Sequence, residues 1–124
     1  MTKWTSDELD KIARAQLLQI ASLRRDGTLR NPVTVWVIRL GDDLYVRSVN
    51  GRDSAWFRGA QVRHEGRIEA GGIEKDVTFV EEADPAINAQ VNAAYHTKYS
   101  SSPSAVSRIV GSAARAATIK LVPR

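Results

Sequence analysis

The stretch Pro32-Val33-Thr34-Val35-Trp36-Val37-Ile38-Arg39-Leu40 sets Val33, Val35 and Val37 on one side of an extended chain and Thr34, Trp36 and Ile38 on the other. Side chains alternate across a strand, and a strand with one wet face alternates apolar with polar. Here both faces are largely apolar. The pattern therefore predicts a strand over 32–40 that is covered twice, by a barrel interior on one side and by a helix or a partner subunit on the other. The turn Asp26-Gly27-Thr28 precedes it. Gly41-Asp42-Asp43 then returns the chain into a strand over 44–49, which delivers Arg47 and Ser48 to its end just before Asn50-Gly51-Arg52.

Moving upstream, Trp4-Thr5-Ser6-Asp7-Glu8-Leu9 is a helix start: Thr5 caps, Glu8 closes a capping box and Trp4 staples onto Leu9. The helix runs to about residue 15, and 17–23 alternates as a first strand. Downstream, Asp53 caps a short helix over 54–58 that ends near Gly59. Strands over 64–70 and 73–80 are hinged at Gly71-Gly72, a two-residue hairpin signal. Asp84 with Pro85 opens a helix to about residue 99 that carries Ile87, Val91, Ala94 and Tyr95 on one face. After the loop at 100–103 come a weak helix over 104–110 and a last strand over 117–122, closed by Pro123.

Strands without regular helix alternation argue against a doubly wound parallel sheet. The expected architecture is mainly β with flanking helices (α+β): one domain, 1–124, built on a six-stranded antiparallel Greek-key barrel whose closure removes exposed edges. At 124 residues the chain is long enough to stand without staples. It contains no cysteine, which removes disulfides and thiolate chemistry and suits a cytoplasmic location. No apolar window reaches the length of a membrane span, and the opening residues lack the apolar core of a signal peptide.

The formal charge of +4 comes from 18 Lys and Arg against 14 Asp and Glu. Apart from Arg24-Arg25 the basic residues are scattered, and no nucleic-acid readout module is visible. A pocket for a phosphate-bearing small molecule uses the same charges more economically. With no glycine-rich phosphate loop, any phosphate must be held by side chains. Arg30, Arg47, Ser48 and Arg52, with amides near Gly51, are the candidates, because guanidinium groups and a hydroxyl suit a dianion. The plainer reading is that Arg47 alternates outward and Arg52 is solvated. Trp36 and Trp56 suit stacking on an aromatic ligand, or serve as core filler. His64 and His96 have no metal-ligand spacing, no Gly-x-Ser-x-Gly elbow is present, and the carboxylate pairs Asp42-Asp43 and Glu81-Glu82 sit at turns where nothing raises a pKa.

Taken together, residues 22–33, then Leu44-Tyr45-Val46-Arg47-Ser48 through Gly51, and Ala55-Trp56-Phe57, resemble the deazaflavin-dependent nitroreductase branch of the split-barrel flavin-binding proteins, the pyridoxamine 5'-phosphate oxidase-like superfamily. The whole chain, from Trp4-Thr5 to Pro123-Arg124, is more similar still to bacterial domain of unknown function 2255, a name that assigns no reaction. The resemblance implies a six-stranded split barrel, a homodimer, and a flavin or deazaflavin at the barrel edge. It places Arg30 and Ser48 at the phosphate, with Asn50 and Gly51 in the adjoining loop. Two departures stand out: a shorter loop between Ser48 and Trp56, and Gly59 near the position where that branch carries an asparagine. Two functions follow as expectations. One is a protein that binds FMN or deazaflavin and passes hydride to a small acceptor. The other is a non-catalytic barrel without cofactor that serves as a small-ligand-binding or interaction module.

Overall fold

The computed structural model describes residues 3–124; Met1 and Thr2 of the opening lie outside the described residues. In chain order the elements are α1 (Ser6–Arg14), β1 (Leu18–Ser22), β2 (Val33–Val35), β3 (Val37–Leu40), β4 (Asp43–Arg47), a 3-10 turn (Gly51–Asp53), α2 (Ala55–Arg63), β5 (Glu65–Ala70), β6 (Ile73–Glu81), α3 (Pro85–Lys98), α4 (Pro103–Ile109), α5 (Ser112–Arg115) and β7 (Thr118–Pro123). The strands form one antiparallel sheet in the order β2-β1-β5-β6-β7-β4-β3.

The described residues form seven strands rather than the expected six, because the strand over 32–40 divides at Trp36. Its first part pairs with β1, where Val33 faces Ile20, and its second pairs with β4, where Val37 faces Val46. β2 and β3 thus occupy the two ends of the sheet order, and the chain joins them through Trp36. One continuous segment closes the sheet into a nearly complete barrel. The side-chain alternation runs through the division without interruption, so periodicity alone carries no sign of it. What marks the crossing is where its backbone bonds go. Tyr95 donates its hydroxyl to the Trp36 carbonyl at 2.8 Å, and the Tyr99 hydroxyl accepts from the Val37 N–H at 3.2 Å. Tyr95 of α3 and Tyr99 at its C-cap supply the partners that a ladder otherwise provides.

Both apolar faces of that segment are covered, as its pattern predicts. Val35 and Val37 enter the barrel core with Leu18, Ile20, Leu44, Val46, Ile68 and Val77. Trp36, Ile38 and Leu40 pack into a second core with Val91 and Tyr95 of α3, with Tyr99 at the C-cap of that helix, and with Val106 and Ile109 of α4. The cover on the second face is the chain's own helical layer.

Local chemistry fixes the remaining elements. The Thr5–Glu8 capping box forms in both directions, and Trp4, buried with Leu9, donates its indole N–H to the Leu121 carbonyl at 3.0 Å. Gly71 and Gly72 turn β5 into β6 with φ of +58° and +82°, the two positive values that a tight hairpin requires. Asp84 accepts from the Ala86 and Ile87 amides at the start of α3. The helix expected over 54–58 is α2; Ser54 rather than Asp53 holds its N-cap position, without a side-chain cap bond, and the helix continues through Gly59 to Arg63. Gly59 does not end the helix because its role is close approach: a Cβ there would lie 2.6 Å from Ser22 Oγ on β1. Among the described residues no helix is long and apolar enough to cross a membrane.

Candidate ligand site

Where β4 ends, β2 meets β3 and α4 passes over, a cleft of about 340 Å³ opens. Trp36, Trp56, Val35 and Ile109 give it apolar surface, while Ser48, Asn50, Ser54, Thr34 and Arg108 give it polar surface. Trp36 is a fixed wall: its ring stacks on Tyr99 with centroids 4.0 Å apart and planes 2° from parallel. Tyr99 is itself anchored, its one hydroxyl proton shared between the Gln16 carbonyl at 2.8 Å and the Val37 carbonyl at 3.0 Å. Trp56 stands in the first turn of α2, edge-on to buried Phe57.

The polar end is built by the turn after β4. The Ser48 N–H bonds the Ala117 carbonyl at 3.2 Å, which ties the turn to the start of β7, and the Gly51 N–H bonds the Ser48 carbonyl at 2.9 Å, which closes it. Ser48 and Ser54 share a hydrogen bond of 2.6 Å between hydroxyls. Arg108, exposed on α4, donates a bond of 3.2 Å to Asn50 Oδ1, and among the described residues its other donors have no partner.

Of the residues singled out in the sequence, the fold brings Trp36, Trp56, Ser48, Asn50 and Arg47 to this cleft and takes Arg30 and Arg52 elsewhere. Arg52 bonds Glu81 at 2.9 Å and the Ala116 carbonyl at 3.0 Å, and lines a different groove. Arg30 lies over α2 against Gly59 and lines a groove on the β1–β5 face. Its Nε is buried without a partner among the described residues, as is the neighbouring Ser22 Oγ. Gly51 packs on Ala113 behind the cleft instead of lining it. The expected convergence of Arg30, Arg47 and Arg52 on one anion does not occur.

Arg47 departs from both sequence readings. It does alternate away from the barrel core, but α3 and α4 cover that face, so the side chain is 1% exposed. Its five N–H donors go to Thr118 Oγ1, Asn92 Oδ1, the Ile109 carbonyl, the Asn88 carbonyl and Asn88 Oδ1. Burial lowers its pKa from the ordinary 12.5 to about 10, which leaves it a cation at neutral pH. No donor remains for a ligand. Arg108 is the free cation of the cleft, and the sequence hid it in a weak helix about sixty residues downstream of Ser48, where no local motif links the two.

A family model described as an uncharacterized protein conserved in bacteria, domain of unknown function 2255, matches residues 8–121. The chain belongs to that family. No curated protein matches it. Solved structures similar to this family member include HutZ, the heme storage protein of Vibrio cholerae, with 14% identity over 100% of this chain and 92% of that one and a TM-score of 0.69. A FAD-binding protein of Mesorhizobium loti has 14% identity over 98% of this chain and 91% of that one, at a TM-score of 0.61. An F420 reductase has 15% identity over 93% of this chain and 90% of that one, at a TM-score of 0.56. At such identities the likeness is one of fold, and the fold is that of the split-barrel flavin- and heme-binding proteins.

Proposed function

We propose that this member of the family binds a flavin-type cofactor, FMN or deazaflavin, in the cleft between Trp36 and Trp56. The observation that carries the reading is an open, mostly apolar cleft with a rigid indole wall and one under-used guanidinium, Arg108, at its polar end. A planar ring suits Trp36, whose plane is already fixed, so stacking on it costs little ordering. An anionic tail suits Arg108 together with the Ser48–Ser54 hydroxyl pair. Heme suits the cleft less well, since neither His64 nor His96 lines it. When bound, a flavin or deazaflavin supplies the hydride chemistry. The chain's own contribution is to hold the ring against Trp36, neutralise the tail through Arg108 and shield the ring with Val35 and Ile109.

A second reading has an observation of its own. Among the described residues no carboxylate, histidine or lysine lines the cleft, so none of them is placed as a side-chain acid or base for turnover. That favours a module that holds its ligand without transforming it.

Titrating the purified protein with FMN, and separately with deazaflavin, while following cofactor fluorescence tests the proposal. Saturable quenching at micromolar concentration, weakened about tenfold by Arg108→Gln, is the expected result. Absence of binding by both removes the flavin reading, whereas binding without reduction of any acceptor selects the holding module.

A further inference from the structure

Behind the cleft floor lies a charge that no carboxylate answers. All five partners of Arg47 are neutral oxygens, from two asparagines, a threonine and two carbonyls. The residue takes part in none of the ion pairs of the described chain. Glu81 and Glu82, in the groove on the far side of Asn88 and Thr118, are committed to Arg52 and to the Asp84 amide. Arg115, in that same groove, is another cation. The Ile109 carbonyl belongs to the last residue of α4, where the helix presents its negative end and unpaired carbonyls, which explains how an unpaired cation is tolerated there. Hydrogen bonds to neutral groups solvate the guanidinium but leave its net charge in place.

That charge borders the cleft, since Arg47 is one of its lining residues, and no Asp or Glu lines it. We propose that Arg47 makes this cleft selective for an anionic aromatic ligand over its neutral counterpart, as a specificity-determining residue that acts through its field without touching the ligand. The inference rests on the cleft being a ligand site, as proposed above, but not on the ligand being a flavin. The selectivity has two sources that differ in how salt acts on them. Arg108 is exposed, so its attraction fades as salt rises, whereas the field of a buried charge is screened far less. A unit charge at a separation of about 8 Å with an effective dielectric near 20 favours an anion by roughly tenfold or more.

The test compares naphthalene-2-sulfonate with naphthalene-2-sulfonamide, which share ring and shape and differ by one charge. Binding is read by quenching of tryptophan fluorescence, since two of the three tryptophans line the cleft. In Arg108→Gln at about 0.5 M salt, where the exposed contribution is gone, the sulfonate is expected to bind about tenfold more tightly than the sulfonamide. Equal affinities under those conditions overturn the proposal, as does failure of the sulfonate to bind at all. Arg47→Met in the Arg108→Gln background, if it folds, is expected to bring the two probes to parity; a preference that persists in the folded double variant also overturns the proposal. If it does not fold, the Arg108→Gln comparison decides. Should FMN fail to bind while the sulfonate preference persists, the flavin reading falls and this one stands.

Discussion

Gly66 of β5 has no room for a side chain: a Cβ there would collide with the Ala21 carbonyl on β1 and lie 2.7 Å from the buried ring of Phe79. Neither neighbour yields cheaply, since one is backbone in a sheet and the other a core aromatic. Gly66→Ala is therefore expected to destabilise the protein by about 3 kcal/mol, measured as a fall in urea midpoint at unchanged m-value. A change below ~1 kcal/mol means that the strands slide apart without penalty. Single residues are also where sequence reasoning failed most instructively. Arg47 and Arg108 are both arginines near polar neighbours in the sequence, yet one is fully bonded inside and the other waits at the cleft mouth. The difference lies in which helix covers which face of β4, a fact of tertiary packing that no local pattern encodes.

Elements were far more legible than residues, wherever a cap or a turn has a private chemical signature. The Thr5–Glu8 box, the Gly71-Gly72 hairpin and the Asp84-Pro85 start each solve a local backbone problem with side chains a few positions away. The division of one expected strand into β2 and β3 left no such trace, because its solution comes from Tyr95 and Tyr99, sixty residues downstream. α5 carries no trace for a local reason: Ser112–Arg115 has neither a side-chain cap bond nor the length to advertise it. At this scale α3 also carries a pH effect. Lys98, half-buried beside Ile38 and Leu40, donates its ammonium to the Val37 carbonyl at 2.7 Å, and burial holds its pKa at about 8 against the ordinary 10.5. Arg39, across the groove, is neutralised by Asp10. Between pH 8 and about 10 the unfolded chain keeps a proton on Lys98 that the folded chain has released, so this group's contribution to stability rises with pH in that window and is flat below it. Burial raises the pKa of Tyr95 and Tyr99, which reverses the trend above about 10, where unfolded tyrosines ionise. Urea unfolding from pH 7 to 10 is expected to show wild type gaining on Lys98→Met as pH rises; parallel curves contradict this.

For the molecule as a whole, the consequential feature is that the barrel is closed by covalent continuity at Trp36–Val37 and not by a last row of hydrogen bonds between its end strands. A break in the ladder leaves polar backbone groups inside a core, and such groups cost about 1–3 kcal/mol each when unpaired. α3 answers them, which makes the helical layer part of the closure. The same layer sets the ligand cleft, because Tyr99 both accepts from Val37 and stacks under Trp36. Tyr99→Phe keeps the ring and the stack but removes the hydroxyl. The Val37 carbonyl retains Lys98 as a partner, while the Val37 N–H, buried with its residue, is left with none among the described residues. The expected outcome is a loss of about 2 kcal/mol with faster hydrogen exchange localised at the Val37 amide, and ligand affinity unchanged because the indole wall stays in place. Loss of affinity in step with stability would show instead that closure and cleft are one cooperative unit, so that the hydroxyl holds Trp36 as well as the seam. Undisturbed exchange at Val37 would mean that the barrel closes without help from α3.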